Sequence, residues 1–290
     1  MKILAMETTG VSGSVALAWG DKIVASRALA ADSRSAETLI PAISELCAEA
    51  GWKIDSLDLI ALAVGCGSFT GLRVGVTCAK MLAWSIKAKV VGLDTHSVIA
   101  HQTVAAADEI RRKNGAVFAS DGENSADFIV SIGIDAQRRE AAVRDFLIHG
   151  KSCFALTSGF RLQPVAEWLA VERIFEFLPM IPGENYSEWG ENSDRNVLWE
   201  KSRTETPAPL EVKKVPRFFA GPLLQKWGVQ ADAAVSERLV PSDLWEPTAE
   251  QIALCAFRRA SEERFDDPWR LVPVYSRIST AEEKLLEKNR

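Results

Sequence analysis

The sequence is poor in the residues that build metal centres and disulfide frameworks. Its 290 residues contain five cysteines and three histidines. The cysteines are scattered singly, without a Cys-x-x-Cys pair, which is typical of a reducing compartment, so we expect a cytoplasmic protein. His96 and His101 are five residues apart, so their side chains would diverge by roughly 140° around a helix and could not share a metal ion. We therefore predict no catalytic metal.

Long apolar runs and an excess of basic residues are also missing. No apolar stretch approaches the roughly 18 residues of a membrane-spanning helix, and no basic region precedes an apolar stretch at the start of the chain. We expect neither a membrane span nor a signal peptide. The 34 Lys and Arg are outnumbered by 39 Asp and Glu, for a net charge of −5. This balance argues against direct, strong binding of nucleic acid, which needs a basic face.

What the sequence does contain predicts an α/β protein. Hydrophobic residues make up 47% of the chain, enough for one two-lobed domain or two small ones. The turn dipeptide Gly20-Asp21 joins two strand-like segments, and a third precedes them, so the chain opens with a three-stranded meander. Helices and buried strands follow in alternation, which predicts a mixed sheet with packed helices. The predicted segments are strands at 2–9, 14–19, 22–29, 57–64 and 90–93, and helices at 35–50 and 71–87.

Two turns carry the candidate binding residues. The first hairpin places the carboxylate of Glu7 beside the hydroxyls of Thr8 and Thr9. The second turn, at 65–71, is rich in glycine and contains Gly67 and Ser68 before a helix, whose N-terminal N–H groups favour anions. A tight turn without any ligand explains the same glycines, so both interpretations stay open: an anion-binding turn and a purely structural one. Cys66 in this turn would need a histidine base to act as a nucleophile, and none lies near it in sequence.

The two N-terminal helices each carry a stripe of apolar or small residues. The second has small residues at strict i, i+4 spacing, which lets another element approach closely. That element is either a partner protein or the chain's own sheet, and periodicity does not decide between them. On the first alternative we predict a partner surface made of Leu39, Ile43, Leu46, Gly71, Leu72, Gly75, Val76, Ala79 and Ala83.

Several of these motifs together resemble one family. The chain reads Met6-Glu7-Thr8-Thr9, then Ser14-Val15-Ala16-Leu17, and later Gly67-Ser68-Phe69-Thr70-Gly71-Leu72-Arg73. Towards the end it reads Pro273-Val274-Tyr275-Ser276-Arg277. This set is similar to that of the TsaB (YeaZ-like) family, which takes part in making threonylcarbamoyladenosine on tRNA. The resemblance is strong over residues 1–104 and nearly absent between 150 and 245.

The resemblance implies a fold, a role and partners. The fold would be the two-lobed actin/Hsp70/sugar-kinase (ASKHA) fold, in which the first hairpin holds a phosphate and its metal. Glu7, Thr8, Thr9, Gly67 and Ser68 would then be a vestigial phosphate site, with no cofactor required and weak binding of ATP or ADP with Mg²⁺ left open. The role would be that of a non-catalytic accessory subunit that activates a TsaD-like threonylcarbamoyltransferase alongside a TsaE-like ATPase. The predicted helices would form the contact with the TsaD-like protein or a competing homodimer. The chain would bind tRNA only through the complex.

Two further predictions concern organisation and rival functions. We expect a first lobe at 1–104, with a C-terminal helix at 279–290 packed back on it. A divergent second lobe would span 105–278, with insertions near 109–127 and 183–215. A small-molecule kinase or ATPase of the same fold and a peptidase-like protein remain the alternatives.

Overall fold

The first 94 residues contain the strands of a five-stranded mixed sheet. The computed structural model describes residues 1–29, 35–115, 127–170, 176–177, 213–227 and 233–277. In the first sheet the strands lie in the order β3-β2-β1-β4-β5. The predicted meander is confirmed, since β1, β2 and β3 pair antiparallel, whereas β4 and β5 run parallel to β1. The strands are β1 (Lys2–Glu7), β2 (Ser14–Trp19), β3 (Lys22–Ala28), β4 (Leu59–Gly65) and β5 (Lys89–Asp94).

A second sheet is built around one long hairpin. The hairpin of β6 and β7 is antiparallel, β8 and β9 both pair with β7, and β12 runs parallel to β6. Two short strands, β10 and β11, form a separate antiparallel pair. The strands are β6 (Phe128–Asp135), β7 (Glu140–His149), β8 (Ser152–Ala155), β9 (Arg161–Pro164), β10 (Glu176–Phe177), β11 (Lys213–Lys214) and β12 (Arg217–Ala220).

Helices cover both faces of the first sheet. The first two helices pack on one face with Leu4, Met6 and Leu62. The last described helix packs on the other face, because its small side chains such as Ala253 and Ala256 allow it to lie close against the strands. The helices are α1 (Ser35–Glu49), α2 (Phe69–Ile86), α3 (Thr95–Ala105), α4 (Ala107–Lys113), α5 (Val165–Trp168), α6 (Leu223–Trp227), α7 (Ala233–Ser236) and α8 (Ala249–Ser261).

Helix α3 belongs to the cores of both sheets. Val98 packs with the first sheet, whereas Ile99 and Ala100 pack with the strands β6 and β7 of the second. The predicted lobe boundary at residue 104 therefore falls at the end of a helix that both sheets share. The location of helix α8 differs from the prediction. The predicted second lobe at 105–278 included this segment, whereas in the structure the helix packs on the first sheet.

Some predicted features lie outside the described residues. They include the helix at 279–290, residues 116–126 of the first insertion and residues 183–212 of the second. No helix in the described part of the chain is long and apolar enough to cross a membrane.

Candidate functional site

The first hairpin encloses a buried carboxyl group. Glu7 ends β1 and has no exposed surface. Its Oε1 accepts hydrogen bonds from the Thr9 amide and hydroxyl, both at 2.5 Å, and from the Gly10 amide at 3.2 Å. Burial raises the pKa of Glu7 to about 7; the bonds from Thr9 and Gly10 lower it, and the nearby charge of Glu246 raises it further. The other oxygen, Oε2, is buried and accepts no hydrogen bond.

Glu246, from the loop before α8, reaches the same hairpin. Its Oε1 accepts a hydrogen bond from Gln225 Nε2 at 3.1 Å, and its carboxylate is also bonded by the Val11 amide. Its Oε2 is buried and unpartnered. A Cβ added to Gly10 would lie 2.1 Å from Glu246 Oε2 and 3.6 Å from Glu7 Oε2, so the two free oxygens face the same glycine.

The glycine turn packs directly against this hairpin. The Ser68 amide donates to the Thr9 carbonyl at 2.8 Å, and the Thr8 hydroxyl donates to the Gly71 carbonyl at 2.8 Å. Ser68 caps α2, since its hydroxyl accepts a hydrogen bond from the Gly71 amide at 3.3 Å. The structure thus brings together the five residues predicted as a vestigial phosphate site: Glu7, Thr8, Thr9, Gly67 and Ser68.

The residues at the hairpin do not fit a nucleotide phosphate. The hydroxyls of Thr8 and Thr9 already donate to protein oxygens, and hairpin amides are directed at the carboxylates of Glu7 and Glu246. A phosphate there would also face two acidic side chains, whose charge repels an anion. The carboxylates of Glu7 and Glu246 therefore accept the hydrogen bonds of the hairpin amides, in the place that a phosphate would take.

The predicted partner surface requires a correction. Every one of its nine residues is buried within the chain itself. Gly71 and Gly75 lie against the hairpin, where an added Cβ would come within 1.7 Å of the Thr8 carbonyl oxygen and 2.4 Å of the Thr8 hydroxyl. The small residues of α2 thus allow a close approach to the chain's own sheet. The nine residues predicted to contact a partner are therefore core residues of this chain: Leu39, Ile43, Leu46, Gly71, Leu72, Gly75, Val76, Ala79 and Ala83.

The opposite face of α2 is exposed and partly apolar. Phe69, Met81 and Trp84 are 45%, 59% and 64% exposed. The exposed Trp269 and Val272 belong to a segment beside α2, because Lys80 of α2 donates hydrogen bonds to the carbonyls of residues 269 and 271. The five residues Phe69, Met81, Trp84, Trp269 and Val272 are called the α2 apolar surface below. The predicted partner surface contains none of these five residues, since apolar periodicity does not distinguish an exposed face of a helix from a buried one.

A second polar cluster joins the two sheets. Asp94 caps α3 through the Ser97 amide at 2.9 Å and accepts a hydrogen bond from Arg144 of β7 at 2.9 Å. His96 is fully buried, with Nδ1 3.3 Å from Asp94 Oδ1 and Nε2 3.0 Å from the Ala142 carbonyl. Sequence reasoning missed this cluster, although a charged arginine inside an apolar strand and an aspartate before a helix are both recognisable signals.

This cluster does not provide a cysteine nucleophile. Cys66 is buried beside it, and burial raises the pKa of its thiol, which keeps the thiol protonated. Both ring nitrogens of His96 face oxygen acceptors, so neither is free to serve as a base. Among the described residues no group of three or more His, Cys, Asp or Glu is placed to hold a metal ion.

Comparison with known proteins gives the family. The family model described as "TsaD: tRNA N6-adenosine threonylcarbamoyltransferase" matches residues 28–239. A Bacillus subtilis protein named as the tRNA threonylcarbamoyladenosine biosynthesis protein TsaB is 35% identical over 86 residues, 30% of this chain and 38% of that relative. Its Escherichia coli namesake is 29% identical over 116 residues, 40% of this chain and 47% of that relative. The chain thus spans less than half the length of these curated relatives.

A solved structure shares the fold. YeaZ from Pseudomonas aeruginosa superposes with a TM-score of 0.60 at 19% identity, covering 94% of this chain and 99% of that chain. The predicted two-lobed actin/Hsp70/sugar-kinase-like α/β fold is confirmed. Because the family model matches more than half of the chain, this chain belongs to the TsaD-like family, and the curated relatives that it resembles carry the name TsaB.

Proposed function

We propose that this chain is a non-catalytic accessory subunit in tRNA threonylcarbamoyladenosine biosynthesis, and that it binds and activates a TsaD-like threonylcarbamoyltransferase. The names of the relatives support the pathway. The polar clusters support a non-catalytic role, because the carboxyl, imidazole and thiol groups of Glu7, His96 and Cys66 are all buried, and those of Glu7 and His96 are hydrogen-bonded within the chain.

The α2 apolar surface is the observation that carries the proposed contact. It contains a tryptophan and a methionine that are both more than half exposed, 59% for Met81 and 64% for Trp84. Large exposed apolar side chains that lie together mark interaction sites, and tryptophan is among the residues that dominate binding energies. Arg73 lies beside this surface, where its guanidinium stacks on the Phe69 ring and donates to the Tyr275 hydroxyl at 3.1 Å. The Phe69 end of the surface is therefore held in position before a partner arrives.

The remaining partners follow from the same proposal. A homodimer through the α2 apolar surface would compete with the TsaD-like partner, and a TsaE-like ATPase would join the assembled pair. Because the chain has a net charge of −5, we infer that tRNA is bound through the complex rather than by this chain alone.

Co-purification with a tagged TsaD-like protein from the same organism tests the proposal. We expect the wild-type chain to be recovered in stoichiometric amount and to raise the transferase activity of its partner. The variants Met81→Lys and Trp84→Glu should each weaken binding by about 10-fold or more while leaving the thermal unfolding midpoint unchanged, since both side chains are exposed.

A matched control lies on the second sheet. Leu162 of β9 is 42% exposed and far along the chain from α2, so Leu162→Lys should leave binding unchanged. Unaltered binding by both α2 variants would refute the surface. Failure of the wild-type chain to bind the TsaD-like protein would refute the accessory role, and ATP turnover by the isolated chain would favour the kinase alternative.

A further inference from the structure

Helix α2 carries charge of only one sign. Its sequence contains no acidic residue, and its two charged residues are Arg73 and Lys80. Lys87, the residue that ends the helix, adds a third positive charge. The whole chain, in contrast, has a net charge of −5. The sign of the charge on this helix is therefore opposite to that of the protein as a whole.

Two of these positive charges share one exposed stripe with the large apolar residues of the helix. The members of the stripe follow each other at intervals of three or four residues, which places them side by side along one face of a helix. All of them are exposed. Since a helix rises by about 1.5 Å per residue, the stripe is about 27 Å long. It is called the α2 stripe below and consists of Phe69, Arg73, Thr77, Met81, Trp84 and Lys87.

The hydrogen bonds that hold Arg73 and Lys80 in place go to neutral groups. Arg73 donates to the Tyr275 hydroxyl at 3.1 Å. Lys80 donates to the carbonyls of Trp269 and Leu271 at 3.4 and 3.1 Å. Neutral acceptors orient a cationic side chain without cancelling its charge. The positive charge of α2 therefore acts on whatever approaches this side of the protein.

The segment beside α2 repeats the combination of an aromatic ring and a positive charge. Trp269 is 71% exposed, and the side chain of Arg270 that follows it is 90% exposed. The nearby Asp267 is bonded to the Trp269 amide at 2.8 Å, and its carboxylate lies 3.8 Å from Arg270. Two exposed tryptophans, Trp84 and Trp269, thus each have a basic residue close by in the chain.

We propose that the TsaD-like partner docks on the α2 stripe with an apolar groove edged by acidic side chains, and that charge attraction guides its approach. This inference rests on the proposed function and adds the chemistry of the partner's surface. Buried aromatic side chains supply most of the binding energy of an interface, whereas charges at its rim set the association rate. The partner's carboxylates would meet Arg73 near one end of the stripe and Lys87 at the other.

A second copy of this chain fits the α2 stripe less well than an acidic partner. In a symmetric dimer through the stripe, the same surface faces itself, so basic side chains would face basic side chains. Like charges across an interface oppose association, and salt weakens that repulsion. The homodimer should therefore become stronger as the salt concentration rises, whereas the complex with an acidic partner should form more slowly.

Stopped-flow association of the full chain with the TsaD-like protein tests the proposal. We expect the association rate constant to fall by about 10-fold when NaCl is raised from about 0.05 to about 0.5 M, because salt screens the attraction. At low salt, Lys87→Glu and Arg270→Glu should each lower this rate constant by about 5-fold and leave the dissociation rate constant nearly unchanged. Lys151→Glu makes the same charge reversal at an exposed turn of the second sheet and should have little effect.

The salt dependence of the wild-type chain decides the matter even if a variant folds poorly. A rate constant that stays the same or rises with salt would overturn the proposal and leave the accessory role intact. Equal effects of Lys87→Glu and Lys151→Glu would do the same, because total charge would then explain the rate. A homodimer of the isolated chain that sedimentation finds strongest at low salt would also contradict the proposal. No association at any salt concentration would refute the proposed function together with this inference.

Discussion

At the residue scale, Asp94 and Arg144 show how one ion pair links two sheets. Asp94 follows β5 of the first sheet, and Arg144 lies in β7 of the second, with their charged atoms 2.9 Å apart. Burial would raise the pKa of Asp94, but His96, Arg144 and the Ser97 amide outweigh it and hold that pKa well below 3.8. The carboxylate is therefore ionised throughout the physiological range and serves as the fixed acceptor of the cluster.

We predict that Asp94→Asn lowers the free energy of unfolding by about 2 kcal/mol at neutral pH, less than for a fully buried pair because Asp94 is partly exposed. Asparagine can still cap α3, so the loss of stability measures the contribution of the negative charge of Asp94. Since the pKa is depressed in the folded state, this contribution is present above pH 3.8 and disappears as the pH falls below it. Urea denaturation at a series of pH values measures the difference.

The exposed Asp243→Asn serves as the control for this experiment. Asp243 lies in a short turn at the surface, so its substitution should change stability by no more than about 0.5 kcal/mol. An Asp94→Asn effect that stayed constant down to strongly acidic pH would mean that the charge of Asp94 does not contribute.

At the element scale, α2 has two faces with different tasks. Its small residues meet the first hairpin, and Thr8 sits directly against Gly71 and Gly75. Its large residues Met81 and Trp84 point away from the chain. The close packing of the first face fixes the orientation of the helix and thereby the position of the second face. A change on the buried face should therefore act on stability first and on partner binding only through it.

We predict that Gly71→Ala destabilises the protein by about 3 kcal/mol, because the added methyl would overlap the Thr8 carbonyl and the backbone must move to accommodate it. Gly115→Ala is the matched control, since no atom lies within 4 Å of its Cβ position. That control should be neutral or slightly stabilising. Thermal and urea unfolding measure both variants, and equal effects would contradict the close approach of α2 to the hairpin.

At the scale of the whole molecule, the chain crosses between its two sheets more than once. Helix α3 contributes to both cores, and α8 returns to the first sheet after the second has been built. The Asp94–Arg144 pair adds a polar link between the sheets. We therefore expect the two sheets to unfold together and not as independent lobes.

Native-state hydrogen exchange measures this cooperativity. Amides of β1 and β6 should exchange with the same free energy, and Ala256→Glu in α8 should lower both by about 3 kcal/mol, because it places a charge in the first core. Ser261→Ala, at the exposed end of the same helix, should lower neither appreciably. Loss of protection in the first sheet alone would show that the lobes unfold separately.

Much of the fold could be predicted because its signals are local. The turn at Gly20-Asp21 and the alternation after it predict the meander, and Ser68 in the glycine turn precedes the predicted helix that is α2 in the structure. The candidate site was predictable only in part. Glu7, Thr8 and Thr9 could be placed next to the glycine turn, but Glu246 is more than two hundred residues away and carries no pattern that indicates its destination.

The sequence by itself determined where strands, turns and helix starts lie, because these depend on neighbours within a few residues. It also determined that α1 and α2 each bury an apolar face. Only the tertiary structure decided what covers that face. Periodicity records that residues such as Gly75 and Ala79 avoid water, but it is the same for a face packed on the chain's own sheet and a face packed on a partner. Here the chain's own hairpin and sheet cover it, and the outward Met81 and Trp84 are left exposed.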